Sequence, residues 1–169
     1  WFLTGTAVAA LGCILVLHYA FATSWWMGLV AVALTFVLAM PTAYVLGRRR
    51  FRGREAIKIL ILLPIIMPGM VVALFLSRVF DFIGLSQSYL GLVIGHSLMA
   101  MPYMVRILTT SFESIPQEVI DAAENLGAGT LVKFKEIFIP MILPGLFAGT
   151  VFSFITSLEE FNLTFVIGT

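Results

Sequence analysis

Five long apolar runs, separated by short polar or basic segments, constrain this chain more than any other sequence feature. They lie at residues 1–22, 25–47, 57–79, 89–112 and 141–158. An apolar helix of about 20 residues is long enough to cross the hydrocarbon core of a bilayer. Because 60% of the residues are hydrophobic and only 11% are charged, a soluble globular domain is excluded. The sequence therefore predicts an all-α integral membrane protein with about five spans.

The first two runs leave very little chain between them. The backbone must reverse at residues 18–24, so we expect either that the first span ends early, near Leu17, or that a loop is absent between the two runs. The chain starts at Trp1 and stops at Thr169, shortly after a turn signal, so we expect both ends to be trimmed. The one cysteine, Cys13, excludes an internal disulfide framework and is predicted to be a packing residue.

A basic segment follows the second run. Residues 48–58, R-R-R-F-R-G-R-E-A-I-K, hold six of the ten Lys and Arg residues. A nucleic-acid patch is one interpretation, but basic residues beside a span are typical of the cytoplasmic side, so no nucleic-acid partner is expected. Alternation of the spans then places residues 113–140 in the cytoplasm, and it places Glu159 and Glu160 at or near the outer side.

The 113–140 segment is the longest polar stretch of the chain, and it predicts two short helices with a glycine joint. Pro116 suits a first helical position. Gly127 lies where a helix needs a left-handed residue after its C-terminus. Thr130 is a suitable N-cap for the second helix, and Pro140 is expected to end it. Two amphipathic helices held between membrane spans indicate a surface that docks on a partner.

Two spans carry residues that could belong to a transport path. The third run contains P-I-I-M-P-G, in which Pro64 and Pro68 should bend the helix. This bend has two interpretations, a lining of the path or a kinked packing helix. His96 in the fourth run is either a functional group or a hydrogen-bonded interior histidine, and the second interpretation is favoured. Arg106 in the same run is expected to extend toward the headgroups.

Signals for catalysis and metal binding are absent from the sequence. It has no Walker A loop, no G-x-S-x-G and no His/Cys/Asp grouping with metal-ligand spacing, so we predict no catalytic residue and no metal site. Met99, Met101 and Met104 lack the paired Cys or His ligands that soft-metal transport would need. Neighbouring helical residues point about 100° apart, so Glu159 and Glu160 need not share a site.

One motif in the 113–140 segment carries a family resemblance. D-A-A-E-N-L-G, then nine residues, then I-F-I-P, resembles the EAA loop of permease subunits of ATP-binding-cassette (ABC) importers. That pattern reads E-A-A, three residues, G, nine residues, I-x-L-P, so Asp121 replaces Glu and Ile139 replaces Leu. The positions predicted to couple to the ATPase are Asp121, Ala122, Ala123, Gly127, Ile137, Ile139 and Pro140. For Asp121 alone, a charge complementing the helix dipole is the alternative role.

The resemblance extends from about residue 20 to the end of the chain. P-T-A-Y-V-L-G-R-R-R-F-R-G-R, M-P-Y-M-V-R and S-F-I-T-S-L-E-E-F are similar to the second permease of spermidine/putrescine importers. Relatives of that branch carry ferric iron, thiamine or (amino)phosphonates. The resemblance implies one type I importer transmembrane domain over residues 1–169, incomplete at both ends, with a sixth span after Thr169.

The resemblance also implies the partners and the location. The first short helix of the 113–140 segment would sit in a groove of a cytoplasmic ATPase dimer, which would bind ATP and Mg. This chain would hold no cofactor and would not be an enzyme. It would pair with a second permease subunit, as a heterodimer, and receive solute from an extracellular or periplasmic binding protein. Its place would be the bacterial cytoplasmic (inner) membrane, as a multi-pass protein in contact with lipid.

The substrate is expected to be a polyamine or a similar small solute. Two carboxylates suit a cation, so Glu159, Glu160 and Asn162, with His96 and Pro68, form the predicted substrate path or gate. The acidic pair could instead cap a helix or contact the binding protein. Two functions of another class remain open: a secondary carrier or channel that uses His96, Arg106 and the acidic pair as an ion path, and a membrane scaffold.

Overall fold

The structure, a computed structural model, describes the backbone of residues 2–168 and the side chains of residues 24–160 and 162–167. The described backbone is helical apart from short connections, as the all-α prediction requires. In chain order the helices are α1 (Phe2–Arg48), α2 (Arg54–Ile66), α3 (Gly69–Ile83), α4 (Tyr89–Glu113), α5 (Gln117–Asn125), α6 (Thr130–Lys133), a π-helical turn (Phe134–Phe138), α7 (Ile139–Glu159) and α8 (Phe161–Gly168). Cys13 lies outside the described side chains, so its packing role stays a prediction.

The first two predicted spans form one helix. The expected reversal at residues 18–24 is wrong, because α1 continues through it from Phe2 to Arg48. The physical reason is local: H-Y-A-F-A-T-S contains neither glycine nor proline, so nothing in it ends a helix. Within the part of α1 whose side chains are described, Ser24–Arg48 is apolar and long enough to span a membrane.

The third predicted span is bent much more sharply than a kinked helix. Helices α2 and α3 meet at 104° across Met67 and Pro68. Met67 has an extended backbone (φ −80°, ψ 143°), as expected of a residue that precedes proline. The bend predicted from the prolines is confirmed, but the run is a broken pair of helices. The described residues therefore contain three helices that could cross a membrane, or four with this pair, and the first predicted span, residues 1–22, lies outside the described side chains.

Helices α1, α4 and α7 pack into a bundle whose interfaces contain small residues. A Cβ added to Gly47 of α1 would lie 2.5 Å from Phe112 Cβ of α4. A Cβ added to Gly149 of α7 would lie 2.8 Å from the sulfur of Met104 in α4. Such close approach increases van der Waals contact between helices, which in a membrane replaces the hydrophobic effect as the force for association. The core of this bundle includes Ala39, Ala43, Met104, Leu108, Phe112, Phe138 and Ile142.

A second, smaller core lies where α3 and α8 pack against the first half of α4. Its buried members are Ala73, Phe80, Met99, Leu163 and Ile167. The backbone N–H of Gln87, just before α4, donates to the carbonyl of Ile167 at 3.0 Å. This core therefore lies toward the start of α4, whereas the larger core extends to the end of α4.

Pro140 does not end the second helix of the 113–140 segment, contrary to expectation. The helix continues from Thr130 through the π-helical turn into α7, which ends at Glu159. The N–H of Ile139 donates to the carbonyl of Phe134, five residues earlier, which widens the helix directly before the proline. Because the wider turn sits where the proline leaves an N–H missing, the helix passes Pro140 without a break.

Candidate functional site

The 113–140 segment begins at the same end of the bundle as the basic segment. Glu113 accepts hydrogen bonds from the guanidinium of Arg54 and from Lys58 Nζ, the latter at 2.7 Å. Both cations come from α2, and Glu113 is the last residue of α4. Residues 48–58 and the start of the 113–140 segment therefore lie together, as the topology prediction requires. That this end faces the cytoplasm remains a prediction from the basic residues.

Helix α5 ends in the glycine turn that the sequence predicts. Gly127 has a left-handed backbone with φ 78°. Its N–H donates to the carbonyl of Glu124, and the N–H of Ala128 donates to the carbonyl of Ala123, both at 2.9 Å. This is the Schellman pattern, which satisfies the last carbonyls of a helix and favours glycine after the cap. Thr130 is the first residue of α6, and Gly129 takes the N-cap position predicted for Thr130.

The surface of this turn is apolar and exposed. Ile120 is the only residue of α5 that is buried. Leu126 is 88% exposed and Leu131 is 80% exposed, although helical spacing predicts that both belong to apolar faces. Of the motif residues, Asp121, Ala122, Gly127, Ile139 and Pro140 are exposed, while Ala123 and Ile137 are half-buried. The turn therefore presents exposed apolar side chains beside the small residues of the motif.

Side-chain contacts within the segment, and one aromatic cluster that reaches the bundle, fix its shape. Gln117 Nε2 donates to Asp121 Oδ1 at 2.8 Å within α5. Lys133 Nζ reaches Glu124 Oε1 at 2.5 Å across the glycine turn. Beneath the turn, Phe138 is buried and packs its ring against Phe112 and Tyr44, with centroids 6.1 Å and 5.6 Å away. The segment therefore has a defined shape before any partner is added.

A second site lies where two helix breaks face each other. Helix α7 ends at Glu159 and α8 begins at Phe161, so Glu160 lies in a break of its own. It lines a cavity of about 200 Å³, which we call the break cavity, together with residues at the α2–α3 break and on α4. The lining residues are Pro64, Ile65, Met67, Gly69, Met99, Tyr103 and Glu160.

The break cavity brings together some of the residues predicted for the substrate path. Glu160 lines it, and Pro68 forms the break beside it. Asn162 is adjacent, because its amide nitrogen would lie 3.5 Å from a Cβ added to Gly69. Glu159 is exposed and does not line the cavity, so only one of the two carboxylates faces it, as helical geometry allows.

The cavity neighbours of Glu160 define its place along α4. Its cavity neighbours on α4, Met99 and Tyr103, are near the middle of that helix rather than at its first turn. At about 1.5 Å per residue, the middle of α4 is roughly 15 Å or more from its start at Tyr89. The structure thus places Glu160 beside the middle of α4, and its position relative to the outer side of the membrane stays a prediction. Helix α8 continues for two further turns after Glu160.

His96 joins three helices around the second break. It is 1% exposed, with Nδ1 3.1 Å from Ser157 Oγ of α7 and Nε2 3.0 Å from Thr164 Oγ1 of α8. The Thr164 hydroxyl donates to the Glu160 carbonyl at 3.1 Å, so Nε2–H donates to Thr164 and Nδ1 accepts from Ser157. The hydrogen-bonded interior interpretation of His96 is confirmed, and its bonds set the path of the chain around Glu160.

Three polar residues at this site were not predicted. Tyr103 lines the break cavity, while Ser157 and Thr164 bind His96. Hydroxyl residues occur throughout the apolar runs, and no spacing distinguishes these three before the helices are packed. Among residues 24–160 and 162–167, no group of three or more His, Cys, Asp or Glu side chains could hold a metal ion.

With this geometry in place, the chain can be compared with known proteins. Residues 39–169 match the family described as the inner membrane component of binding-protein-dependent transport systems. The chain belongs to this family. The resemblance that the D-A-A-E-N-L-G motif carries is thereby confirmed, as are the all-α membrane fold and the location in a membrane.

Three relatives illustrate the range of the family. The chain is 31% identical over 147 residues to a probable molybdenum ABC transporter permease protein of Haloferax volcanii, and the matched region covers 82% of this chain and 53% of the relative. It is 28% identical over 130 residues to a spermidine/putrescine transport system permease protein of Haemophilus influenzae, covering 77% and 51%. It is 30% identical over 143 residues to a sulfate transport system permease protein of Salmonella typhimurium, covering 78% and 52%.

The chain thus spans about half the length of these three relatives. All three are named as transport permeases, which agrees with the expectation that the chain is not an enzyme. Their names differ in the solute, so the family does not distinguish a polyamine from molybdenum or sulfate.

Proposed function

We propose that this chain is a membrane-spanning permease subunit of an ATP-driven importer, and that its 113–140 segment docks on a cytoplasmic ATPase dimer. The observation that carries the proposal is the exposed apolar turn around Gly127, which follows the Asp121–Ala122–Ala123 motif at one end of the bundle. The family match supports it, because binding-protein-dependent transport implies an energy source and a solute-binding protein. ATP and Mg would be bound by the ATPase.

Two further partners belong to the proposal. A second permease subunit, in a heterodimer, would complete the path, and an extracellular or periplasmic binding protein would deliver the solute. A secondary carrier or channel remains the alternative of another class, but such a protein has no need for an exposed docking turn. A membrane scaffold would display the turn without coupling it to uptake.

The docking is tested by a bulky substitution on the exposed face of α5. Ala122→Trp places an aromatic ring where the small side chain allows close approach, without disturbing the core, because Ala122 is exposed. Ala56→Trp is the matched control, since Ala56 is an exposed alanine in the first turn of α2 at the same end of the bundle. We expect Ala122→Trp, but not Ala56→Trp, to abolish co-purification of the ATPase. Unchanged co-purification in Ala122→Trp would refute the docking surface.

For the solute we propose a polyamine or a similar small cation. Glu160 is the only charged residue that lines the break cavity, and no Lys or Arg is among its seven lining residues. A carboxylate without a cation partner attracts amines and repels oxyanions. The molybdenum and sulfate permeases among the relatives make an oxyanion the second candidate. Ferric iron, thiamine and (amino)phosphonates are further alternatives.

Uptake by the complete importer in proteoliposomes separates the two main candidates. Radiolabelled spermidine, molybdate and sulfate are offered in turn, with the Glu160→Gln variant and the Glu159→Gln control. We expect spermidine uptake that falls in Glu160→Gln and is retained in Glu159→Gln, because only Glu160 lines the cavity. Uptake of molybdate or sulfate without spermidine uptake would exclude the polyamine.

A further inference from the structure

Arg48 has a different environment from the two arginines that follow it. Arg48 ends α1 and is half-buried, whereas Arg49 and Arg50 are exposed. Its Nη1 donates to the carbonyl of Ile115 at 3.0 Å and to that of Phe112 at 3.4 Å. Its Nη2 donates to Gln117 Oε1 at 2.6 Å. One guanidinium thus binds the end of α4 and the first residue of α5.

The acceptors around Arg48 explain why its charge is stable there. The last carbonyls of a helix carry partial negative charge and attract cations. Phe112 belongs to the last turn of α4, and Ile115 lies just beyond it. The guanidinium carbon is also 5.8 Å from the centroid of the Phe138 ring, within cation–π range. Among the described residues Arg48 forms no salt bridge, because the nearby carboxylate of Glu113 binds Arg54 and Lys58.

Close packing of α1 on α4 brings Arg48 within reach of these acceptors. Gly47 precedes it, and a Cβ there would lie 2.5 Å from Phe112 Cβ and 3.1 Å from the Thr109 carbonyl. Any larger residue at position 47 would push the end of α1 away from α4. The glycine therefore allows the arginine side chain to cross to the 113–140 segment.

The contacts continue from Arg48 into the docking motif. Gln117 accepts from Arg48 through its amide oxygen and donates through its amide nitrogen to Asp121 Oδ1 at 2.8 Å. Asp121 is the first residue of the D-A-A motif. Arg48, Gln117 and Asp121 therefore form a hydrogen-bonded relay from the end of α1 to the surface proposed to meet the ATPase.

We propose that Arg48 is a positioning residue that fixes the register of α5 against the ends of α1 and α4. The proposal rests on the proposed function, since the relay then transmits a displacement of α5 by the ATPase to the membrane bundle. The role needs the planar fork of a guanidinium, which serves several acceptors at once and which a lysine lacks. Arg49 and Arg50, which are exposed, supply only positive charge at this end.

The relay is tested by measuring a distance inside the complete importer. Spin labels are attached at Val45→Cys in α1 and Val119→Cys in α5, both exposed positions, in a Cys13→Ser background. Distance distributions are recorded with and without Mg-ATP and vanadate. We expect one narrow distribution that keeps its width in the labelled parent and in Arg49→Gln. In Arg48→Gln and Gln117→Ala the distribution should become about twofold wider, because α5 loses a charge-assisted hydrogen bond.

Transport provides a second readout. A purely structural role of Arg48 would not lower uptake while leaving the ATPase bound. We expect Arg48→Gln and Gln117→Ala to lower uptake of the transported probe among spermidine, molybdate and sulfate by about tenfold, with co-purification of the ATPase retained. Arg49→Gln should keep full uptake. Loss of uptake with a retained ATPase is uncoupling, whereas loss of the ATPase would indicate that Arg48 acts only in docking and would overturn the relay.

The outcomes separate the relay from the proposed function. Narrow distributions in both Arg48→Gln and Gln117→Ala would overturn the relay. If the Arg48→Gln permease does not fold, Gln117→Ala decides alone, because Gln117 is exposed and its truncation leaves the core intact. If the unmodified protein binds no ATPase, the proposed function fails. The distances in the permease by itself then still show whether Arg48 holds α5.

Discussion

The 113–140 segment and the break cavity differ in how their residues are brought together. The segment is continuous in sequence, and its shape follows from local contacts such as the bonds around Gly127. The break cavity takes its lining from α2, α3, α4 and the α7–α8 junction. A continuous motif can be recognised along the chain, whereas a cavity assembled from distant helices exists only once those helices pack. The two sites should therefore fail in different ways.

The largest effect is expected from the glycine turn. Gly127→Val places a β-branched residue at φ 78°, where L-residues lose about 1–2 kcal/mol and β-branched residues more. We expect α6 to change direction and co-purification of the ATPase to be lost. The measurement is ATPase recovery with the purified permease.

Gly129→Val is the matched control for this change. Gly129 has φ −67° and ψ 166°, a backbone that any residue adopts, and no atom lies within 4 Å of a Cβ there. We expect normal recovery of the ATPase with this variant. Equal recovery with both valine variants would show that the left-handed turn is not needed for docking.

An intermediate effect is expected from the histidine beside the break cavity. His96→Leu removes the hydrogen-bond partner of the buried Ser157 hydroxyl and one of the two partners of the Thr164 hydroxyl, and a buried group left unpaired costs about 1–3 kcal/mol. We expect a lower thermal unfolding temperature in detergent and reduced uptake, with normal co-purification of the ATPase. A change at the break cavity would then reduce uptake without affecting the 113–140 segment.

Ser153→Ala is the control for this histidine variant. Ser153 is also buried on α7, and its hydroxyl has no hydrogen-bond partner within the described part of the chain. Removing an unpaired hydroxyl should leave the unfolding temperature unchanged or slightly higher. A decrease as large as that of His96→Leu would show that any polar change in this region destabilises the bundle.

The smallest effect is expected from the ion pair that crosses the glycine turn. Lys133→Ala removes the contact with Glu124; the Lys133 side chain is 14% exposed and that of Glu124 is 56% exposed, and pairs that solvent reaches contribute about 0–1 kcal/mol. We expect uptake and ATPase recovery close to those of Lys135→Ala, a change at a neighbouring exposed lysine. A strong loss in Lys133→Ala alone would mean that this pair, and not the glycine, sets the angle between α5 and α6.

Predictions from the sequence were correct where a residue restricts its own backbone. The bend at Pro68 and the cap at Gly127 were predicted because proline and glycine restrict their own backbone. The continuation of the helix past Pro140 was not predicted, because a π-helical turn depends on how the preceding aromatic residues pack. The absence of a reversal before Ser24 was also missed, since apolar length suggests two spans but does not place a turn.

The sequence by itself determined that this protein is helical, lies in a membrane and carries the D-A-A-E-N-L-G motif in its polar 113–140 segment. These properties follow from apolar run lengths and from spacings within short segments, so they need no knowledge of packing. Only the tertiary structure decided that Glu160 lies beside the α2–α3 break, that His96 joins α7 to α8, and that Arg48 reaches α5. Those contacts join residues about 60 or more positions apart, and only the packing of α1, α4 and α7 brings them within bonding distance.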